Sequence, residues 1–327
     1  MSVSHPGGRP RRILGELPLP PFPDQTMPAD RWQLHARRAK PSAADAPPAV
    51  YVHGLGGSSL NWTDLQGLLQ DHVDGYALDL PGFGDSPPPP DADYSISGHA
   101  RAVVAFIQAL GRGPVHLFGN SMGGAISTRV AAEHPELVRT LTLISPALPD
   151  LRVRRTNAPT AMMGVPGVGH LLAQWLHSWP PERRATVAAD LIFADPATSG
   201  AAWREMANQE FARRAEFPWS VEAFGGSIRG LLRAYFERGP QALWNQARQV
   251  SAPTLLLYGR QDKLVSSRLA IKAAETFPNC RVITLPNSGH VAMMEHPYPT
   301  AMAVLELFAE SSRGGGQARV GRQAVGG

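Results

Sequence analysis

The chain has a single cysteine, Cys280, among 327 residues, so no disulfide can close within it and a reducing, cytoplasmic setting is expected. It has no run approaching the roughly 18 consecutive apolar residues that cross a bilayer, so no membrane span is expected. The pair Arg11-Arg12 near the start is followed by Leu-Gly-Glu-Leu-Pro-Leu-Pro-Pro, which lacks the unbroken apolar core of an export signal. A basic face is missing too, despite a net charge of +4. Residues 1–50 hold seven basic against four acidic side chains, and residues 311–327 hold three basic and no acidic ones, so the middle of the chain is slightly negative. That distribution argues against nucleic acid as a partner. No Gly-Lys-Ser/Thr follows the one glycine-rich turn, Gly54-Leu-Gly-Gly57, and no dinucleotide fingerprint stands beside it, which argues against a nucleotide. What is present is the composition of an ordinary soluble globular protein, 43% hydrophobic and 18% charged, long enough to bury a large core.

Residues 1–23 are rich in Pro, Gly and Arg and are expected to be a flexible lead-in, and the Gly/Arg/Ser-rich residues 311–327 a disordered tail. Residues 31–37 alternate polar with apolar and suit an edge strand. Apolar runs at 49–53, 76–80, 115–119, 138–144, 254–258 and 281–285 read as buried strands. Between them lie helical patterns: one from the Ser58 N-cap to Leu69, then 95–110 with Gly111 as its stop, 125–132, 266–276 and 291–309. Strands alternating with helices imply an α/β fold with a mostly parallel sheet covered on both faces. The rhythm breaks over residues 147–248, which read as helical pieces holding five of the seven tryptophans: Trp175, Trp179, Trp203, Trp219 and Trp244. We expect this segment to be a helical cap over the strand ends, with residues 24–146 and 249–310 as the core. Its tryptophans are read as the segment's own core, and Arg183-Arg184 and Arg213-Arg214 as solvated helix faces.

One stretch organises the rest. The run Val115-His-Leu-Phe leads straight into Gly119-Asn-Ser-Met-Gly123 and then into a small-residue helix, which is the strand–turn–helix setting of a nucleophile elbow. A serine needs a base within hydrogen-bond reach and a third group to orient that base. His290, in the loop Asn287-Ser-Gly-His290 after the last strand, is the leading base. Asp262, in Gly259-Arg-Gln-Asp262 after the strand before it, is the leading acid. The other histidines have plainer readings: His53 opens a turn, His134 and His296 precede prolines, His72 begins a surface segment, His116 sits within a strand, and His99, His170 and His177 fall on helical segments. Two N–H donors for an oxyanion are expected from Met122, at the start of a helix, and from Leu55, in the glycine turn. No metal or organic cofactor is needed for this chemistry.

With His53-Gly-Leu-Gly-Gly-Ser, Asp79-Leu-Pro-Gly-Phe-Gly-Asp-Ser86, Gly119-Asn-Ser-Met-Gly-Gly124, Gly259-Arg-Gln-Asp262 and Gly289-His290 in this order, residues 45–310 resemble the α/β-hydrolases of the capped serine esterase/lipase type. The resemblance implies Ser121 as nucleophile, His290 as base and then acid, Asp262 as its orienting partner, and Leu55 and Met122 as oxyanion donors. It also implies that His53, Gly82, Gly84 and Ser86 shape loops, and that the partner is a small, apolar ester. Epoxide hydrolases and haloalkane dehalogenases of this fold attack with Asp, so Ser121 argues against both. Carbon–carbon hydrolases of ring-fission products are the nearer alternative. They usually carry a proline in the oxyanion turn and a tryptophan after the histidine, where this chain has Gly56-Gly57 and Val291. A non-catalytic binding or signalling module on the same fold is the remaining alternative. No motif specifies an oligomeric state.

Overall fold

The computed structural model describes residues 19–41, 43–150 and 167–313. Within them one eight-stranded sheet runs in the order β1-β2-β4-β3-β5-β6-β7-β8. Here β1 is Asp24–Ala29, β2 Trp32–Ala39, β3 Pro48–Val52, β4 Asp74–Leu78, β5 Val115–Asn120, β6 Val138–Ile144, β7 Thr254–Gly259 and β8 Cys280–Leu285. From β4 to β8 along the sheet every pairing is parallel, while β1 and β2 join antiparallel. The parallel strands are apolar on both faces because helices cover both faces. Val50, Val52, Leu117, Leu256 and Tyr258 point to one layer, with helices α2 (Ile96–Leu110) and α3 (Met122–Glu133). Their neighbours Ala49, Tyr51, Phe118, Leu255 and Leu257 point to the other, with α1 (Thr63–Leu69) and the last helix. Each such fully buried large side chain contributes about 1.5–3 kcal/mol.

Several boundaries differ from the sequence reading. The strand expected at the edge is β2, and it is not the edge. Residues 24–29 add a further strand outside it, with Thr26 opposite His35 and Pro28 opposite Gln33. That strand carries little apolar signal because only its alternate residues, Gln25, Met27 and Ala29, are covered. The helix expected from Ser58 begins as a tight 3-10 turn, Ser59–Trp62, before α1. The terminal helix is broken at His296 by Pro297, giving Ala292–Glu295 and then Pro297–Arg313, four residues longer than expected. The lead-in up to residue 18, the tail from residue 314 and residues 151–166 lie outside the described residues. Cys280 opens β8 as a half-buried strand residue. No helix of the described residues is long and apolar enough to cross a membrane.

Between β6 and β7 the described chain is helical: α4 (Val168–His177), α5 (Pro181–Ile192), α6 (Gly200–Ala215), α7 (Ser220–Tyr235) and α8 (Leu243–Ala247). Arg129 on α3 is fully buried and clasps the end of this segment. It donates to Ser97 Oγ, Gln246 Oε1, Gln241 O and Glu237 Oε2. The elbow helix is thereby tied to the chain that returns from the insertion.

Candidate active site

At the carboxyl end of β5 the chain turns into α3 within one residue. Ser121 has φ 54° and ψ −118°, a left-handed conformation that is costly for a residue with a Cβ. Backbone hydrogen bonds hold it there. Its N–H donates to Ile144 O at 3.1 Å, and its carbonyl accepts from Gly124 and Ala147 at 2.9 and 2.8 Å. The flanking glycines are required by contact. A Cβ at Gly119 would stand 2.4 Å from Gly123 O, and one at Gly123 2.3 Å from Val52 O and 2.4 Å from His53 O. Those neighbours are backbone and cannot swing aside. Gly123→Ala is therefore expected to destabilise the fold by about 3 kcal/mol, read as a lower midpoint in urea; an unchanged midpoint would show that α3 shifts freely.

The two expected partners arrive from β7 and β8. Asp262 is buried in the loop after β7, where Oδ1 accepts from the N–H groups of Leu264 and Val265 at 2.7 and 2.9 Å. Its Oδ2 lies 2.9 Å from His290 Nδ1. Burial alone would raise the Asp262 carboxyl, but the His290 charge and hydrogen bond and the Val265 N–H outweigh it and hold the group below the usual carboxylate range. An ionised carboxylate only accepts, so Nδ1 of His290 carries the proton, and in the neutral imidazole Nε2 is the nitrogen that can accept one. The His290 loop is fixed from two sides. Its N–H donates to Ile192 O of α5 at 2.7 Å, and its carbonyl accepts from Asn120 Nδ2 at 3.0 Å. The same Nδ2 donates to Ile144 O, so Asn120 joins the elbow, β6 and the histidine loop. Sequence reasoning passed over Asn120; its one signal was an amide side chain directly before the serine.

Across from Ser121 the turn Gly54–Gly57 is closed by Gly57 N–H to Gly54 O at 3.0 Å. Gly54 packs so closely on the elbow that a Cβ there would meet Ser121 Cβ at 2.9 Å. Leu55 N–H lies within this turn and Met122 N–H in the first turn of α3, and among the described residues neither donates to a protein acceptor. Beneath the turn His53 is fully buried and its pKa is pushed down to about 4 by burial, so it is neutral. Nδ1–H donates to Gly54 O at 2.7 Å and Nε2 accepts from Leu80 N–H at 3.0 Å, which makes it a brace between two loops.

The second loop is built on Asp79. Its carboxylate accepts from Ser59 N–H at 2.6 Å and Asp85 N–H at 3.0 Å and faces His35 Nδ1 at 2.7 Å, while Ser86 Oγ donates to its carbonyl. Gly84 has φ 54°, and a Cβ there would collide with that carboxylate. His35, Asp79 and Asp85 bring their ligand atoms within 4.8 Å of one another, but each is already engaged, Asp85 by Arg213. Burial raises the Asp79 carboxyl, yet the hydrogen bond and charge of His35 and the Asp85 N–H lower it further, to about 2. A folded-state pKa below the unfolded value contributes stability above pH 4 that is lost as pH falls towards 2, about 2 kcal/mol here. Asp79→Asn is expected to cost that amount at pH 7, with the gap to the parent closing below pH 4 in urea melts. A gap independent of pH would refute this account.

Ser121 and His290 open onto one cavity of about 470 Å³. Its walls are mostly apolar and come largely from the insertion, among them Trp179, Leu191, Phe211, Phe224 and Leu231. Of the five tryptophans, Trp203 and Trp244 are buried as expected, Trp179 lines the cavity and Trp175 is 55% exposed. Of the two arginine pairs, Arg183 is exposed as expected, but the other three are not on solvated faces. Arg214 is bound to Glu210 at 2.8 Å and to Gly56 O, Arg213 spans Glu210 and Asp85, and Arg184 lines the cavity. Helical periodicity placed these side chains on a polar face; packing of α6 against the glycine turn made that face interior.

A family model of the alpha/beta hydrolase fold matches residues 47–297. The carbamate-hydrolase candidate RutD of Pseudomonas savastanoi pv. phaseolicola is 30% identical over 270 residues, 81% of this chain and 95% of that protein. The 2-hydroxy-6-oxo-6-(2'-aminophenyl)hexa-2,4-dienoic acid hydrolase of Metapseudomonas resinovorans is 28% identical over 274 residues, 82% of this chain and 86% of that protein. The solved structure of 2-hydroxy-6-oxo-6-phenylhexa-2,4-dienoate hydrolase from Rhodococcus sp. strain RHA1 shares the fold with a TM-score of 0.73 at 19% identity, over 88% of this chain and 99% of that one.

Proposed function

Since the chain belongs to the alpha/beta hydrolase family, we propose that it is a serine hydrolase of small carboxylic esters. The observation that carries this reading is one cavity lined both by Ser121, on a strained turn, and by a histidine whose Nδ1 is held by Asp262 at 2.9 Å. Ser121 Oγ attacks the ester carbonyl and passes its proton to His290 Nε2. The N–H groups of Leu55 and Met122 hold the oxyanion; losing one such donor costs about 3–4 kcal/mol of transition-state stabilisation. The alcohol leaves with the proton from His290, and water, deprotonated in turn by His290, hydrolyses the acyl-enzyme. Residues 147–248 act as a cap whose apolar wall receives the hydrocarbon part of the substrate. A fluorophosphonate probe tests the reading directly. Labelling at Ser121 is expected, since it needs an activated serine and an open pocket; a folded protein that resists the probe speaks for a binding module instead.

The 28% identity to a dienoic acid hydrolase supports a second reading, carbon–carbon cleavage by the same three residues. Turnover of a ring-fission dienoate faster than any ester in a chain-length panel would establish it. Against it stand Gly56-Gly57 and Val291, where such enzymes usually carry proline and tryptophan.

A further inference from the structure

One polar group on the cavity wall is unaccounted for by an apolar ester. Arg184 on α5 is half-buried and lines the cavity. Its Nη2 donates to Phe211 O at 2.7 Å, Nη1 lies 3.5 Å from His177 Nδ1, and Nε is buried with no partner among the described residues. Among the described residues no carboxylate pairs with it. Its charged neighbour is a second cation, Arg214, with the two guanidiniums 5.4 and 5.6 Å from the centroid of the same Phe211 ring. Burial, and then the Arg214 charge, pushes the Arg184 guanidinium below its ordinary range. Arg214 is neutralised by Glu210 at 2.8 Å; Arg184 is not. Ser220 Oγ, on the same wall, is buried and also has no partner among the described residues. A cation left uncompensated in a low-dielectric wall is unfavourable until an anion meets it, and a guanidinium meets a carboxylate best, through charge-assisted hydrogen bonds.

We infer that Arg184 binds a carboxylate on the substrate, so that the preferred esters are half-esters of dicarboxylic acids rather than neutral acyl esters. The inference rests on the ester-hydrolase reading and narrows its substrate class. The apolar wall then holds the methylene chain, with the ester carbonyl at Ser121 and the free carboxylate at Arg184.

The test compares p-nitrophenyl hydrogen adipate with p-nitrophenyl hexanoate, of equal chain length. The parent protein is expected to favour the half-ester in kcat/KM, and Arg184→Met to lower the half-ester to neutral-ester ratio about 10–100-fold, with Arg184→Lys in between. A parent preference for the neutral ester, or an unchanged ratio in a folded methionine variant, overturns the inference. Arg184→Gln serves if the methionine variant melts early. If neither ester turns over, the esterase reading fails, and calorimetry with adipate on Ser121→Ala decides the site alone. Binding lost on adding Arg184→Met supports it, while no binding, or binding indifferent to Arg184, overturns it.

Discussion

Ser121→Ala is expected to lower turnover of short p-nitrophenyl esters at least about 10⁴-fold and to leave the melting temperature within a few degrees. The two halves of that expectation come from different atoms. The Ser121 hydroxyl makes no hydrogen bond to the described protein and faces the cavity, so its removal leaves no buried group without a partner. What holds the elbow is backbone: the bonds to Ile144 O and from Gly124 and Ala147, with glycines where a Cβ would strike a carbonyl. Alanine keeps all of these, together with the Cβ that packs near Gly54. The chemistry has no substitute nucleophile, since the one cysteine lies in β8 away from the cavity lining. Steady-state kinetics on purified variant, with intact-mass analysis after fluorophosphonate treatment, checks both halves. A folded alanine variant keeping several per cent of parental activity would mean that Ser121 is not the nucleophile.

Asp262→Asn is expected to cost about 10³–10⁴-fold in kcat at neutral pH, again without unfolding the protein. Here geometry dictates which way the amide turns. The Asp262 Oδ1 position accepts from two backbone N–H groups, Leu264 and Val265, so the asparagine oxygen must take it. The amide NH₂ is then aimed at His290 Nδ1, which can only accept from it, and the imidazole proton moves to Nε2. A histidine with its proton on Nε2 cannot take one from Ser121. The neutral amide also cannot offset an imidazolium as the carboxylate does. Kinetics of Asp262→Asn beside Asp262→Ala, with urea melts of both, separates this from a structural effect. An asparagine variant as active as the parent would remove Asp262 from the mechanism.

The difference between what was readable and what was not follows the range of the interactions. Ser121, Asp262 and His290 were legible because each sits directly after an apolar strand, and the strand–turn sequence specifies locally where such a residue emerges. The loop glycines were legible for the same reason, since a turn of φ near +60° selects glycine within four residues. Asn120 was not, because its acceptor on His290 is 170 residues away and no local pattern announces it. Nor was β1, which is held by pairing with β2 on the sheet margin rather than by apolar periodicity.

By itself, then, the sequence determined the alternation of strands and helices, the tight turn at Ser121, and the order in which the Asp262 and His290 loops follow it, all of which are set by neighbours along the chain. Only the tertiary structure decided which insertion side chains face the cavity. Periodicity told that Arg184 and Arg214 share helical faces with other polar residues, but not that those faces lie against Phe211 and the Gly54–Gly57 turn. That depends on how two helices dock over a turn whose Gly56 lies 158 residues from Arg214 in sequence. The same docking turned a pair of ordinary surface cations into one neutralised ion pair and one arginine awaiting an anion.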